Sequence, residues 1–102
     1  MPNSRSKRVL IYSHDSFGLG HVSRCRTIAN ALVAADPTVS VLIVSGSPVI
    51  GSYEFRSGID FVRIPGVVKQ IETGEYDSAN LRVCVEHTME MRSRIIRDTA
   101  DI

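Results

Sequence analysis

Apolar residues along the chain follow two patterns. Arg8 to His14 (RVLIYSH) and Val39 to Ser45 (VSVLIVS) are short runs, almost continuous in β-branched and aromatic residues. Runs without alternation suit strands covered on both faces, as in a parallel sheet. Asp60 to Ile64 (DFVRI) reads as a third strand, cut off by Pro65-Gly66. Between the first two runs, Val22, Cys25, Ile28, Ala29 and Leu32 recur at spacings of three and four. That is one face of a helix from His21 to about Ala35, stopped at Asp36-Pro37 because the residue before proline avoids helical angles. Leu81, Cys84, Val85, Met89, Ile95, Ile96 and Ala100 form a broader stripe and predict a second helix from Leu81 to about Ala100.

The connections are less regular. Gly46-Ser47-Pro48 closes the second strand, and Val49 to Ser57 reads as a short helix or an irregular crossover. Gly74, Asp77, Ser78 and Asn80 mark a polar loop that also holds Glu75-Tyr76. Loops of more than about a dozen residues inside a compact domain are often functional, so this one is a candidate lid.

Strand, helix, strand, crossover, strand, helix is the order of a parallel α/β sheet with right-handed crossovers. Residues 1–8 read as a flexible basic N-terminus and residues 9–102 as part of one α/β domain. The last helix ends on Asp101-Ile102, where a fourth strand is expected, so the sequence reads as a portion of a longer fold. The first strand is then a bare edge, through which the chain could self-associate.

Composition narrows the classes. The 102 residues carry 12 Lys+Arg against 11 Asp+Glu, a formal net charge of +1, with 43% hydrophobic and 23% charged residues. This is the balance of an ordinary globular domain and not of a disordered tail. It holds no excess of positive charge to displace counterions from nucleic acid, so no nucleic-acid partner is expected. Val9 to Tyr12 is too short for a signal-peptide core, and Val39 to Val44 is far below the ~20 residues of a membrane span, so a cytoplasmic location is expected. Cys25 and Cys84 stand far apart with no ligand partner at zinc spacing, and both lie on predicted apolar helix faces, as small core residues. No metal site and no cofactor are expected. On the second helix, Met89 and Met91 read as core and rim filler, His87 as a solvated edge, and Arg92, Arg94 and Arg97 as solvating charges.

The chemistry concentrates at the end of the first strand, in Ser13-His14-Asp15-Ser16-Phe17-Gly18-Leu19-Gly20-His21. In open parallel sheets ligands bind at the carboxyl ends of the strands. Gly18 and Gly20, with Leu19 between them, allow a tight turn and close approach of a ligand to the backbone. The following helix aims free N–H groups at any anion placed there. A dinucleotide fingerprint is disfavoured, because Ser23 replaces the third glycine and the second strand ends in Ser45-Gly46-Ser47 without an acid for a ribose. His21 is the sharper feature. A helix N-terminus disfavours an imidazolium, and a neutral imidazole is what a general base acting on a sugar hydroxyl requires.

The run Phe17-Gly18-Leu19-Gly20-His21-Val22-Ser23-Arg24-Cys25-Arg26, followed by Ile28-Ala29-Asn30-Ala31-Leu32, resembles the N-terminal segment of GT-B glycosyltransferases. It is most similar to bacterial predicted glycosyltransferases related to the lipid II N-acetylglucosaminyltransferase of peptidoglycan synthesis. Val41 to Ser47, Gly51 and Phe61 to Val67 look like later parts of the same domain. The Gly-x-Gly-His-x-x-Arg core is also similar to that of a nucleotide-sugar hydrolase. The resemblance implies a Rossmann-like N-terminal domain that holds the acceptor, with the nucleotide-sugar donor on a second domain that this chain lacks. It implies His21 as the base, and an isolated chain that is catalytically silent. A sugar or lipid-linked acceptor, with peripheral membrane contact, follows by analogy with relatives. Two other readings stay open: the hydrolase, and a non-catalytic acceptor-binding subunit of a split enzyme.

Further candidates line the same end of the sheet. His14 ends the first strand, with Asp15 beside it. Arg24 lies one turn into the first helix, where it could meet a phosphate or stand as a solvated charge. Ser45 and Ser47 could hold a sugar, or serve only as turn residues. Lys69 follows Pro65-Gly66 on the ligand side.

Overall fold

The computed structural model describes residues 7–14 and 20–102. The order is β1 (Lys7–Ser13), α1 (Gly20–Ala35), β2 (Val39–Ser45), a short 3-10 turn (Ile50–Ser52), β3 (Ile59–Arg63), β4 (Val67–Lys69), β5 (Tyr76–Ser78) and α2 (Val85–Ala100). β1, β2 and β3 form a parallel sheet in that order, with Val9 opposite Val41 and Val41 opposite Ile59. The fold is mixed α/β with a three-stranded parallel sheet flanked by helices, as the hydrophobic pattern predicts.

Side chains alternate across a pleated strand, so the sheet has two faces of different character. On one, Val39, Val41 and Ile43 of β2 pack with Val9, Ile11, Ile59 and Phe61, beneath Val22, Ala29, Leu32 and Val33 of α1. β2 is the central strand: Val39, Val41 and Ile43 are buried on the α1 side, whereas on the other face Val44 is buried, Leu42 half-buried and Ser40 exposed. β1 is an edge strand, with Leu10 and Ile11 half-buried and Tyr12 42% exposed. The expectation that the apolar runs are covered on both sides therefore holds only for the carboxyl-terminal half of the middle strand. Lys7, assigned from sequence to a flexible terminus, pairs with Val39, and Arg8, where that terminus meets the first predicted strand, pairs with Ser40.

α1 ends as predicted at Asp36-Pro37. The Asp36 carboxylate accepts from the Thr38 N–H at 2.9 Å and the Thr38 hydroxyl at 2.7 Å, a side-chain turn that starts β2. These bonds, with Lys7 3.4 Å away, hold the Asp36 carboxyl below the usual carboxylate range. The crossover from β2 to β3 is irregular apart from its 3-10 turn, and is anchored by fully buried Ile50 and by Phe55 against Phe61. It ends at Gly58, whose φ of +92° favours glycine.

The chain beyond β3 departs from expectation at several points. The predicted polar loop contains an antiparallel hairpin, with Val67 opposite Ser78 and Lys69 opposite Tyr76. Gly74, at φ +74°, turns it. α2 begins at Val85 and not Leu81, because Cys84 is extended (φ −61°, ψ 154°) and Leu81 to Val83 form bends. Cys84 is accordingly exposed rather than a core residue, while Cys25 is half-buried on α1. Met89 is exposed as well. Arg92, read as a solvating charge, is 2% exposed.

α2 lies on the sheet face opposite α1. Arg92 reaches the Tyr12 hydroxyl near the end of β1, and the Arg8 guanidinium near its start donates to the Ile102 carbonyl. The helix therefore runs back along β1. The lengths agree, since 16 helical residues span about 24 Å and seven strand residues span about 23 Å. Among the described residues no helix is long and apolar enough to cross a membrane.

Candidate functional site

Parallel strands bring their carboxyl ends to one edge of the sheet, and that edge gathers His14, the Ser45–Ser47 turn and Arg63. The β4–β5 hairpin rises beside them. It is tied to α2 by Ser78, whose hydroxyl shares a 2.6 Å hydrogen bond with that of fully buried Thr88 and donates to the Val83 carbonyl at 2.9 Å. This tie sets Tyr76 of β5 against His14 of the sheet.

His14 is the centre of an aromatic cluster. Its ring lies 6.3 Å from Tyr12, 6.2 Å from His21 and 6.0 Å from Tyr76, edge-on to the latter two. Nδ1 is 3.4 Å from the Tyr12 hydroxyl and Nε2 is 3.3 Å from the Tyr76 hydroxyl. Behind Tyr12, buried Arg92 donates to that same hydroxyl and, at 2.9 Å, to the Pro65 carbonyl.

A guanidinium only donates, so the Tyr12 oxygen accepts from Arg92. The two contacts of the His14 ring join Tyr12, His14 and Tyr76 to that bond in one polar chain.

Two cavities open on either side of the His14–Tyr76 wall. One, of about 560 Å³, is bounded by Arg63, Lys69 and Asn80, with Pro48, Val68 and Ala79 as its apolar surface. The other, of about 480 Å³, carries Glu75 and Glu86 beside Val85 and Met89. A further cavity of about 670 Å³ lies toward the amino ends of the strands, between Arg8, Asp60 and the end of α2. Ligands of parallel sheets bind at the other end.

The residues singled out from sequence fall into three groups. His14, Gly20 and His21 come together: Gly20 opens α1, has open space where a Cβ would stand, and carries exposed His21 to the His14 ring. Ser45 and Ser47 are buried and serve the turn, Ser45 Oγ accepting from the Ser47 N–H at 3.0 Å and Ser47 Oγ from the Val49 N–H at 3.4 Å. Arg24 is exposed on α1. Asp15, Gly18 and Leu19 lie outside the described residues.

The sequence pattern does not single out Tyr12, Arg63 or Arg92 for the site, and it gives Tyr76 no defined role. The available signal was Val67-Val68-Lys69 and Glu75-Tyr76-Asp77 flanking Thr73-Gly74, a weak hairpin pattern. Among the described residues, no three His, Cys, Asp or Glu side chains converge in a way that could hold a metal ion. Comparison with protein-family models, with curated proteins and with solved structures returns no match.

Proposed function

We propose that the chain is the acceptor-side portion of a GT-B-type glycosyltransferase, in which His21 serves as the base for transfer from a nucleotide sugar. The supporting observation is the placement of His21. It sits in the first turn of α1, at the carboxyl edge of a parallel sheet, against His14 at a ring distance of 6.2 Å. In this reading an acceptor hydroxyl rests against the histidine pair. His21 Nδ1 or Nε2 takes its proton while the oxygen attacks the anomeric carbon of the donor. The new carbon–oxygen bond forms as the bond to the nucleoside diphosphate breaks, and the diphosphate leaves with the electron pair. The resemblance noted from sequence assigns the donor to a second domain, so the chain alone binds and does not turn over.

The test is a heteronuclear NMR titration of the 102-residue chain, following Gly20, His14 and His21. The ligands are uridine-diphosphate sugars, simple sugar acceptors and, separately, nicotinamide dinucleotide. Saturable shifts centred on His14 and His21 with the sugar ligands are expected. Saturable binding of the dinucleotide at Gly20, or no response of either histidine to any sugar ligand at millimolar concentration, overturns the proposal.

A further inference from the structure

We infer that the cavity between β3 and the β4–β5 hairpin is a binding site for a small organic anion, with its phosphate or carboxylate group held by Arg63 and Lys69. This step rests on the function proposed above only in assigning the anion to the acceptor.

Three observations carry it. Arg63 and Lys69 both line the cavity, which contains no carboxylate among its lining residues, and neither cation has an ion-pair partner among the described residues. Two unneutralised cations on one concave wall raise the local potential, and low-dielectric walls concentrate it. The carboxylates Glu75 and Glu86 are segregated to the cavity on the far side of His14 and Tyr76. Charge of opposite sign is thus divided by a wall that His14, Val67 and Tyr76 present to both cavities.

The third observation is the polarity of that wall. The Tyr76 hydroxyl lines the cavity together with the Asn80 amide. With Arg63 and Lys69, the polar lining holds four groups that can donate: a guanidinium, an ammonium, a phenol and an amide. Such a set matches oxygen acceptors and rejects ligands that are themselves rich in donors. Pro48, Val68 and Ala79 leave an apolar surface for the body of the molecule. About 560 Å³ is within the range of small-molecule pockets.

The experiment uses the full chain and four probes: inorganic phosphate, glucose 6-phosphate, glucuronate and neutral methyl glucoside. Binding is read from the arginine Nε–Hε and lysine side-chain resonances, at low and at moderate salt. Saturable shifts at Arg63 and Lys69 with the anionic probes are expected, with affinity falling as salt rises. Arg63→Gln and Lys69→Gln should each weaken binding by about tenfold, since each removes a charge-assisted contact. Both residues are exposed, so neither change should disturb the fold. Tyr76→Phe should weaken binding less, by about threefold, on the loss of a single neutral donor. The tighter of glucose 6-phosphate and glucuronate identifies the anion.

Equal affinity for methyl glucoside and the anions, or unchanged affinity in the Arg63→Gln/Lys69→Gln double variant, overturns the inference. If His21 responds to nucleotide sugars while Arg63 and Lys69 ignore every anion, the anion site falls and the proposed function stands. If the dinucleotide occupies Gly20 while the anions still bind at Arg63, the reverse holds.

Discussion

Replacing Arg92 separates the buried role that the structure gives it from the solvating role suggested by its place among Arg94 and Arg97. Arg92 is 2% exposed, and its guanidinium donates to the Pro65 carbonyl at 2.9 Å and to the Tyr12 hydroxyl. Arg92→Ala removes both bonds. Tyr12 is 42% exposed, so water can replace the lost donor and the cost there is small. Half-buried Pro65 loses a charged donor, at about 1–3 kcal/mol. The buried aliphatic stem adds about 2 kcal/mol at ~0.8 kcal/mol per methylene. Recovery of guanidinium hydration offsets part of this, and a net loss of about 3 kcal/mol is expected. A domain of this size holds on the order of 5–15 kcal/mol in total, so the change should lower Tm by roughly 10–20 °C.

The comparison variant is Arg94→Ala. Arg94 is exposed and, among the described residues, pairs with Glu90 at 3.0 Å one turn away, an arrangement worth about 0.5 kcal/mol or less. Arg92→Met should fall between them, because it keeps the packed stem and avoids burying a charge. Urea unfolding followed by far-UV circular dichroism, with equal m-values across the set, gives the three differences. If Arg92→Ala and Arg94→Ala lie within about 0.5 kcal/mol of each other, Arg92 is a surface residue in solution and the placement of α2 on β1 is wrong.

Gly58 and Gly74 both have positive φ, but only Gly58 is also crowded, since a Cβ there would stand 3.2 Å from the Val39 carbonyl and 3.3 Å from Val33 Cγ1. Gly58→Ala should therefore cost about 2–3 kcal/mol in urea unfolding and Gly74→Ala about 1 kcal/mol, and the reverse order would contradict the account of the crossover. Asp36 has its carboxyl held low by the Thr38 hydroxyl and N–H, so its contribution is present above the ordinary carboxylate range and fades as pH falls toward the depressed value. The stability difference between wild type and Asp36→Asn should be constant above about pH 5 and shrink below it; a difference that grows in acid would reverse the sign of this argument.

What was legible in the sequence was local. β2 was read to its residue bounds, and α1 to within one residue, because each carries its pattern inside a single continuous segment. The hairpin was not legible, because each of its strands is three residues long, too short for alternation to stand out from a polar loop. The start of α2 was misplaced because Leu81 and Cys84 fit the helical spacing, whereas Ser78 binds the Val83 carbonyl and the chain before Val85 is extended or bent. The site divided along the same line. His14, Gly20 and His21 are close in sequence and were found together. The partners of His14 and Arg92 are not: Tyr76 lies 62 residues from His14, and Tyr12 lies 80 from Arg92.

That separation explains why α2 carries polar residues where its packed face would otherwise be apolar. Thr88 and Arg92, spaced four apart, are the two residues of α2 that are buried, and both are polar. A wholly apolar stripe would bury as much surface, but it would leave the hairpin and β1 free to settle independently, since apolar contacts have little directionality. Thr88 fixes Ser78 and so the height of β5, while Arg92 holds the Tyr12 hydroxyl that meets the His14 ring. Both constraints end on Tyr76, one through its backbone and one through its hydroxyl. The position of Tyr76 relative to the sheet edge is thus set by hydrogen bonds from a single helix, one turn apart. Substitutions at Thr88 that keep its volume but remove its hydroxyl, such as Thr88→Val, should shift the Tyr76 and His14 resonances together while leaving those of β2 in place. Independent movement of the two would mean that the hairpin finds its position without α2.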